Sequence, residues 1–290
     1  MMFGTPQYAQ ENATINSALA LRRPLVAVHR GTGLGSIAEN TQAAVVAAVR
    51  QGADMVEFDV VRSTDGEFFL FHDGYEALHF GFESKIGTLT AEQIRALRYR
   101  WNSDEPYGVT ALSDVLTDHP DTLFNVDRSW WFWDTLLPYL DRFAIDGRVL
   151  LKCPVETTWL DMLAAHPVKY SLAPMARTHE EVLEVLARDD VNTIGIELIA
   201  DRPDHVFATP DYTEWLHTQG KLVFLSALTM RSRDHLFCGW DDETSILRSP
   251  KFGWDRLTAL DPDIIQTDWP GLLIGHLRST APYDSPSRSQ

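Results

Sequence analysis

The chain has 290 residues, 44% apolar and 23% charged, a composition that can bury a large core without disulfides or a structural metal. Lys and Arg total 25 against 41 Asp and Glu, and the formal charge of −16 argues against general attraction to nucleic acid or to an anionic lipid surface. Cys153 and Cys238 are the only cysteines and lie outside any CxxC spacing, which argues against a disulfide framework or a cysteine zinc site.

Short β-branched or aromatic runs alternate with longer stretches of helical period. The spacing predicts strands at 25–29, 55–61, 122–127, 148–152, 170–174, 193–199, 221–227 and 263–267, with an extra short run at 67–72. Between them, amphipathic helices are predicted at 40–51, 91–97, 133–142, 157–165, 179–188, 212–219 and 244–260, with Thr90 and Thr178 as start signals. Eight alternations favour an α/β fold, a single (β/α)8 TIM-type barrel, because closing the sheet covers every strand edge. One domain is expected over 1–278, with a short insertion after the second strand at 74–88 and another at 231–254. The Ser- and Pro-rich tail, 279–290, is predicted to be disordered. No stretch reaches the roughly 18 apolar residues of a membrane span, and no basic segment leads an apolar one at the start. A cytoplasmic protein without integral membrane association is expected, or a secreted or periplasmic one if a signal peptide has been removed; the oligomeric state is left open.

Barrel catalysis takes place at the carboxyl ends of strands, so polar residues closing an apolar run are the ones to inspect. Four runs end this way: 24–28 in His29, Arg30 and Gly31, 55–61 around Glu57 and Asp59, 68–71 in His72 and Asp73, and 123–126 in Asp127. Glu57 and Asp59 are two apart, so both carboxylates point to one side of their strand. Joined by Asp127, they form an oxygen-rich set suited to one divalent metal ion, Mg2+ or Ca2+; a buried salt bridge to Arg or Lys is the alternative. An imidazole ordinarily titrates near neutrality, so His29 and His72 suit general acid and base roles.

The pieces His29-Arg30-Gly31, Glu39-Asn40-Thr41, Glu57-Phe58-Asp59 and His72-Asp73, with Thr267-Asp268-Trp269-Pro270 near the end, resemble the glycerophosphodiester phosphodiesterase family. The matching is densest from Val26 to Asp73. The resemblance implies that His29 and His72 are the acid/base pair, Arg30 a phosphate contact, and Glu57 and Asp59 metal ligands. The family usually has a Glu at the third strand's end and a Lys two residues later; here Asp127 and Ser129 stand there, so Asp127 becomes the third ligand and the Lys is missing. Lys152, closing the next run, is expected to restore that charge at the substrate. Glu197, within an apolar strand, is expected to contact substrate or to partner Lys152. Glu39 would orient His29 or Arg30 in a supporting role, and Asn40 would cap the following helix.

Residues 130–133, Trp-Trp-Phe-Trp, read as helix-to-barrel packing or as an apolar, cation-accepting wall. Asp241-Asp242-Glu243 reads as a solvated helix start. By resemblance the reaction is metal-dependent hydrolysis of a glycerophosphodiester to glycerol phosphate and an alcohol. The alternatives are phospholipase D-like cleavage of lysophospholipid or sphingolipid head groups, or a catalytically silent barrel that binds a small-molecule phosphodiester.

Overall fold

The computed structural model describes residues 2–100, 107–145, 147–230 and 234–280. Its strands are β1 (Leu25–Val28), β2 (Met55–Arg62), β3 (Phe68–Leu70), β4 (Leu123–Asp127), β5 (Val149–Leu151), β6 (Ser171–Leu172), β7 (Met175–Ala176), β8 (Gly195–Leu198), β9 (Leu222–Ser226) and β10 (Ile264–Thr267). All but β3 form one parallel sheet in the order β6-β5-β4-β2-β1-β10-β9-β8-β7. The ends of that order, β6 and β7, are two pieces of one chain segment, so the sheet is a TIM-type barrel. The expected strand 170–174 is therefore split in two, with Pro174 between the pieces. β3 lies off the ring, antiparallel to β2.

Alternation along the strands explains both core and site. Leu25, Ala27, Met55, Leu123, Leu150, Leu222, Phe224 and Ile264 form the apolar cluster inside the barrel's lower part. Two residues onward on the same face come His29, Glu57, Asn125, Lys152, Ser226 and Gln266, and two further come Asp59 and Asp127. The intervening residues, such as Val26, Val28, Val56, Phe58, Phe124 and Val126, pack outward in the core shared with the helices. Each strand thus passes from an apolar floor to a polar rim.

Helix Ala13–Leu21, not foreseen, covers the floor with Ile15 and Leu19 beside Phe3. Helices Leu112–Asp118 and Pro270–Thr280 were also missed. The last runs two residues past the expected domain limit at 278, and the rest of the expected tail, 281–290, lies outside the described residues. The helix expected at 244–260 is instead Asp242–Leu247, a short 3-10 turn at Pro250–Phe252, and Trp254–Thr258. Pro250 lacks the amide needed to continue the first piece. At Gly253 a Cβ would lie 2.8 Å from the Asp241 carbonyl oxygen, so the chain turns where only glycine fits. Among the described residues, no helix is long and apolar enough to cross a membrane.

Below the floor, buried Asn12 ties three segments together. Its Nδ2 donates to Asn192 Oδ1 at 2.8 Å, while its Oδ1 accepts from Ser171 Oγ at 2.7 Å and Asn192 Nδ2 at 3.1 Å. Asn12→Ala would leave these buried partners unsatisfied, at a cost of about 1–3 kcal/mol. Thermal unfolding is expected to shift down by about 2–10 °C, with the geometry at the opposite end unchanged; an unaltered melting curve would show that the network contributes nothing.

Candidate active site

The site is organised around Arg30. It follows β1 in a tight turn, His29–Gly31, with a left-handed φ of 51°. The turn packs on helix Gln42–Arg50: at Gly31, φ 70°, a Cβ would stand 2.9 Å from the Ala44 backbone. The Arg30 amide donates to Glu57 Oε2 at 2.7 Å, its Nη1 donates to Glu39 Oε1 at 2.8 Å, and its Nε lies 3.1 Å from Asp59 Oδ2. The guanidinium also lies over the Tyr75 ring, 5.0 Å from its centroid. Burial works to raise Glu39, yet bonds from His79 and Arg30 hold its carboxyl down at about 2. Glu39 thus supports Arg30.

Asn40 does not cap the helix. Thr41 does, its hydroxyl accepting from the Ala44 amide at 3.2 Å. Asn40 adopts φ 55° and turns inward, donating from Nδ2 to Asp59 Oδ2 at 3.0 Å and accepting the Asp59 amide at 3.1 Å. Its short amide matches the acceptor and donor that Asp59 presents, a pairing that leaves no side-chain oxygen for the helix.

Asp59 and Asp127 are register partners across β2 and β4, and Glu57 faces the same interior. Burial first, then the charges of Asp59 and Asp127, push Glu57 up to about 8 despite His29 and Lys152. Hydrogen bonds occupy one oxygen of each carboxylate: Glu57 Oε2 and Asp59 Oδ2 as above, and Asp127 Oδ1 by the Arg128 amide at 2.6 Å. Among the described residues no three acid, imidazole or thiol groups already close on one point. The donor set nonetheless suits an oxygen-seeking cation: three carboxyl groups lie on two neighbouring strands, and each keeps one oxygen outside these hydrogen bonds that would serve as a hard ligand.

Lys152, 2% exposed, reaches from β5 into the barrel. Its Nζ lies 2.7 Å from Glu197 Oε2, 2.9 Å from Gln266 Oε1 and 3.7 Å from Asp127 Oδ2. Burial opposes its charge, but Glu197, Asp127 and Glu57 outweigh that and raise it. Glu197 also accepts from Ser226 Oγ at 2.6 Å, so it partners Lys152.

The two histidines are fixed by different acceptors. His29 donates from Nδ1 to Asp268 Oδ1 at 2.7 Å, and His72 from Nδ1 to the Asp73 carbonyl at 2.8 Å. Because a carboxylate and a carbonyl only accept, both Nδ1 atoms carry hydrogen and both Nε2 atoms are left for chemistry. Burial lowers His29, but the Asp268 bond and the Asp268 and Glu57 charges prevail and bring it up to about 8. His72 falls below the ordinary range through burial and the charges of Arg30 and Arg128. One imidazole therefore favours its proton and the other favours its lone pair. Asp242 supports this end of the site. It is 1% exposed, not the solvated helix start the sequence suggested, and burial pushes it up to about 7. Asp241 caps the helix instead, accepting the Thr244 amide at 2.8 Å.

A cavity of 340 Å³ opens over these groups. Its lining includes the charged and titratable groups His29, Arg30, Asp59, His72, Asp127, Arg128, Lys152, Arg177 and Glu197, and the apolar Met175, Ile199, Leu228, Met230 and Leu236. Of the residues expected at the site, Glu57, Glu39 and Asn40 stand behind this lining and Glu197 is in it. Arg128, Asp268 and Gln266 were missed. Arg128 adjoins Asp127 and donates to Asp73 Oδ1 at 2.6 Å, bringing a cation near the position of the missing Lys. The Trp run divides: Trp133 is core, its Nε1 bonded to Ser129 Oγ at 3.1 Å, Trp130 lines the cavity, and exposed Trp131 stacks against Arg128.

The fold and this cavity define a parallel α/β barrel whose carboxyl end opens onto two imidazoles, carboxylates and cationic side chains. Within that class the chain resembles the Glycerophosphoryl diester phosphodiesterase family, whose model matches residues 29–135, the stretch that carries His29 through Asp127. The "Probable glycerophosphodiester phosphodiesterase 1" of Mycobacterium tuberculosis is 34% identical over 112 residues, 37% of this chain and 39% of that protein. The match thus spans well under half the length of that relative. The fold extends over nearly the whole chain. A glycerophosphoryl diester phosphodiesterase from Parabacteroides distasonis superposes with a TM-score of 0.71 at 16% identity, covering 94% of this chain and 95% of its own. An Oleispira antarctica phosphodiesterase, solved with the product sn-glycerol-3-phosphate, gives 0.66 at 17% identity over 90% and 99%.

The folded value of His29, about 8, lies above its ordinary 6.5. The imidazolium–Asp268 pair therefore contributes stability that is fully present below pH 6.5 and lost as the pH rises through about 8. Wild type should exceed Asp268→Asn in stability by about 1–2 kcal/mol more at pH ~6 than at pH ~9, solvent at half-exposed Asp268 moderating the effect. Denaturant unfolding of both proteins across that range measures it, and a difference constant with pH would contradict the pairing.

Proposed function

We propose that this protein hydrolyses a glycerophosphodiester to glycerol phosphate and an alcohol, using a divalent cation, Mg2+ or Ca2+, and the His29/His72 pair. The observation that carries the reading is the convergence of two imidazoles, each with Nδ1 committed and Nε2 available, on a cavity that also holds carboxylates and cations. Product bound to the Oleispira antarctica relative supports a glycerol phosphate half-site. Glu57, Asp59 and Asp127 would hold the cation, which when bound supplies charge neutralisation at the phosphoryl oxygens.

The chain's own groups provide the remaining requirements. Arg30, Arg128 and Lys152 draw the anion into the cavity and oppose its repulsion of a nucleophile. His72, held neutral, accepts the proton of the attacking hydroxyl at Nε2. His29, held as imidazolium, donates its Nε2 proton to the departing alkoxide as the phosphorus–oxygen bond breaks. The attacking oxygen comes from water or from the neighbouring glycerol hydroxyl, and early time points in isotopically labelled water distinguish a cyclic phosphate from direct hydrolysis.

A second reading rests on the apolar residues of the cavity lining. Met175, Ile199, Leu228, Met230 and Leu236 suit an acyl or alkyl group next to the phosphodiester, which supports phospholipase D-like cleavage of a lysophospholipid. Assay of glycerophosphocholine, glycerophosphoethanolamine, glycerophosphoinositol and lysolipids, each with Mg2+, Ca2+ or chelator, separates the two readings. Turnover of the deacylated diesters, abolished by chelator, is expected. His29→Ala and His72→Ala should each lower kcat by about 10²–10⁴-fold. A metal-loaded protein that turns over none of the panel would overturn both readings and leave a silent phosphodiester-binding barrel.

Lys152→Ala is expected to raise KM or lower kcat and also to destabilise the barrel by about 3–5 kcal/mol, because Glu197 would remain buried without its partner. The double change Lys152→Met, Glu197→Gln should recover stability but not activity. Recovery of both, read by calorimetry beside the kinetic assay, would remove Lys152 from the substrate site.

A further inference from the structure

We infer that Asp242 is a positioning residue for His29, acting through Thr267 and Asp268; the inference rests on the proposed acid role of His29. Asp242 begins helix Asp242–Leu247, where a carboxylate would ordinarily face water, yet its side chain turns into the protein. There its Oδ2 accepts the Asp268 amide at 2.8 Å, and both oxygens lie 2.9 Å from Thr267 Oγ1. Trp254 Nε1 donates to Oδ1 at 2.8 Å and fixes the carboxylate from a third segment. The Trp269 amide donates to Thr267 Oγ1 at 2.9 Å, which commits the hydroxyl hydrogen to Asp242.

The turn 267–269 is thereby held by its backbone and its hydroxyl, while the Asp268 side chain remains to receive His29 Nδ1 at 2.7 Å. Burying the Asp242 carboxylate next to that of Asp268 is unfavourable in itself, and a neutral residue would avoid the repulsion. What a carboxylate offers here, and a side-chain amide does not, is two acceptor oxygens for all three donors at once: indole, hydroxyl and amide. That set determines where Asp268 stands, and so the orientation and tautomer of an imidazole two residues removed from it along the hydrogen-bond chain.

Asp242→Asn brings an NH2 group against donors and should displace the turn. kcat is expected to fall about 10- to 100-fold, with KM changed less than about twofold, since His29 acts in bond cleavage rather than in holding the substrate. The discriminating measurement is a double-mutant cycle. If Asp242 acts through Asp268, Asp242→Asn with Asp268→Asn is no slower than Asp268→Asn alone; multiplicative losses would overturn the inference. Should Asp242→Asn not fold, Thr267→Val removes the hydroxyl that donates to Asp242 and accepts the Trp269 amide, and is expected to lower kcat about 3- to 10-fold, again without effect in the Asp268→Asn background.

A readout independent of turnover is the low-field Nδ1–H proton resonance of His29, assigned by its loss in His29→Gln. It should shift upfield in folded Asp242→Asn and Thr267→Val. An unmoved resonance in the folded variants would refute the relay even if the wild type hydrolyses phosphodiesters. Absence of wild-type activity with the expected shift would refute only the proposed reaction.

Discussion

The structure depends on how the barrel mouth neutralises charges that its interior cannot solvate. Glu57, Asp59 and Asp127 lie where an apolar layer would otherwise continue, and only counter-charge or hydrogen bonding makes such burial tolerable. Arg30 answers Glu57 with its amide and Asp59 and Glu39 with its guanidinium, while Lys152 answers Glu197 and approaches Asp127. The compensation is incomplete at Glu57, whose carboxyl burial and neighbouring acids push up to about 8. This residual demand for positive charge is the physical basis for proposing a cation.

Stability and chemistry are divided along the barrel axis. The floor is apolar and plugged by helix Ala13–Leu21, with the Asn12, Ser171 and Asn192 bonds beneath it. Because the floor and the helix-facing core carry the fold, the rim can hold strained and charged elements. Arg30, Asn40 and Arg128 all adopt positive φ, a conformation uncommon for residues with a side chain. Each occurs where the backbone must aim a polar group: an amide at Glu57, an amide side chain at Asp59, and an amide at Asp127. The strain is thus tied to individual hydrogen bonds of the site.

Much of this was legible in period-two alternation. Glu57 and Asp59 had to share a face, and His29, His72 and Asp127 had to close their runs, because strand geometry allows little else. Partnerships across the ring were less accessible. Asp268 stands 239 residues from His29 in sequence, and the Thr-Asp-x-Pro segment carried no mark of which imidazole it would meet. Asp242 looked like a helix-start acid by every local criterion; it is buried because the break at Pro250–Phe252 returns Trp254 onto it. Asn40 similarly stood next to the residue that caps the helix, and only the approach of β2 to the His29–Gly31 turn made Asp59 its better partner.

By itself the sequence determined the alternation of strand and helix, the number of ring strands, and the shared strand face of Glu57 and Asp59, since these follow from local periodicity and backbone geometry. The tertiary structure alone decided which acid faces which base, where the helix predicted at 244–260 is broken, and which imidazole receives a carboxylate and which a carbonyl. Those outcomes depend on bringing distant segments within hydrogen-bond distance, and a hydrogen bond is selective over fractions of an ångström that no local pattern encodes.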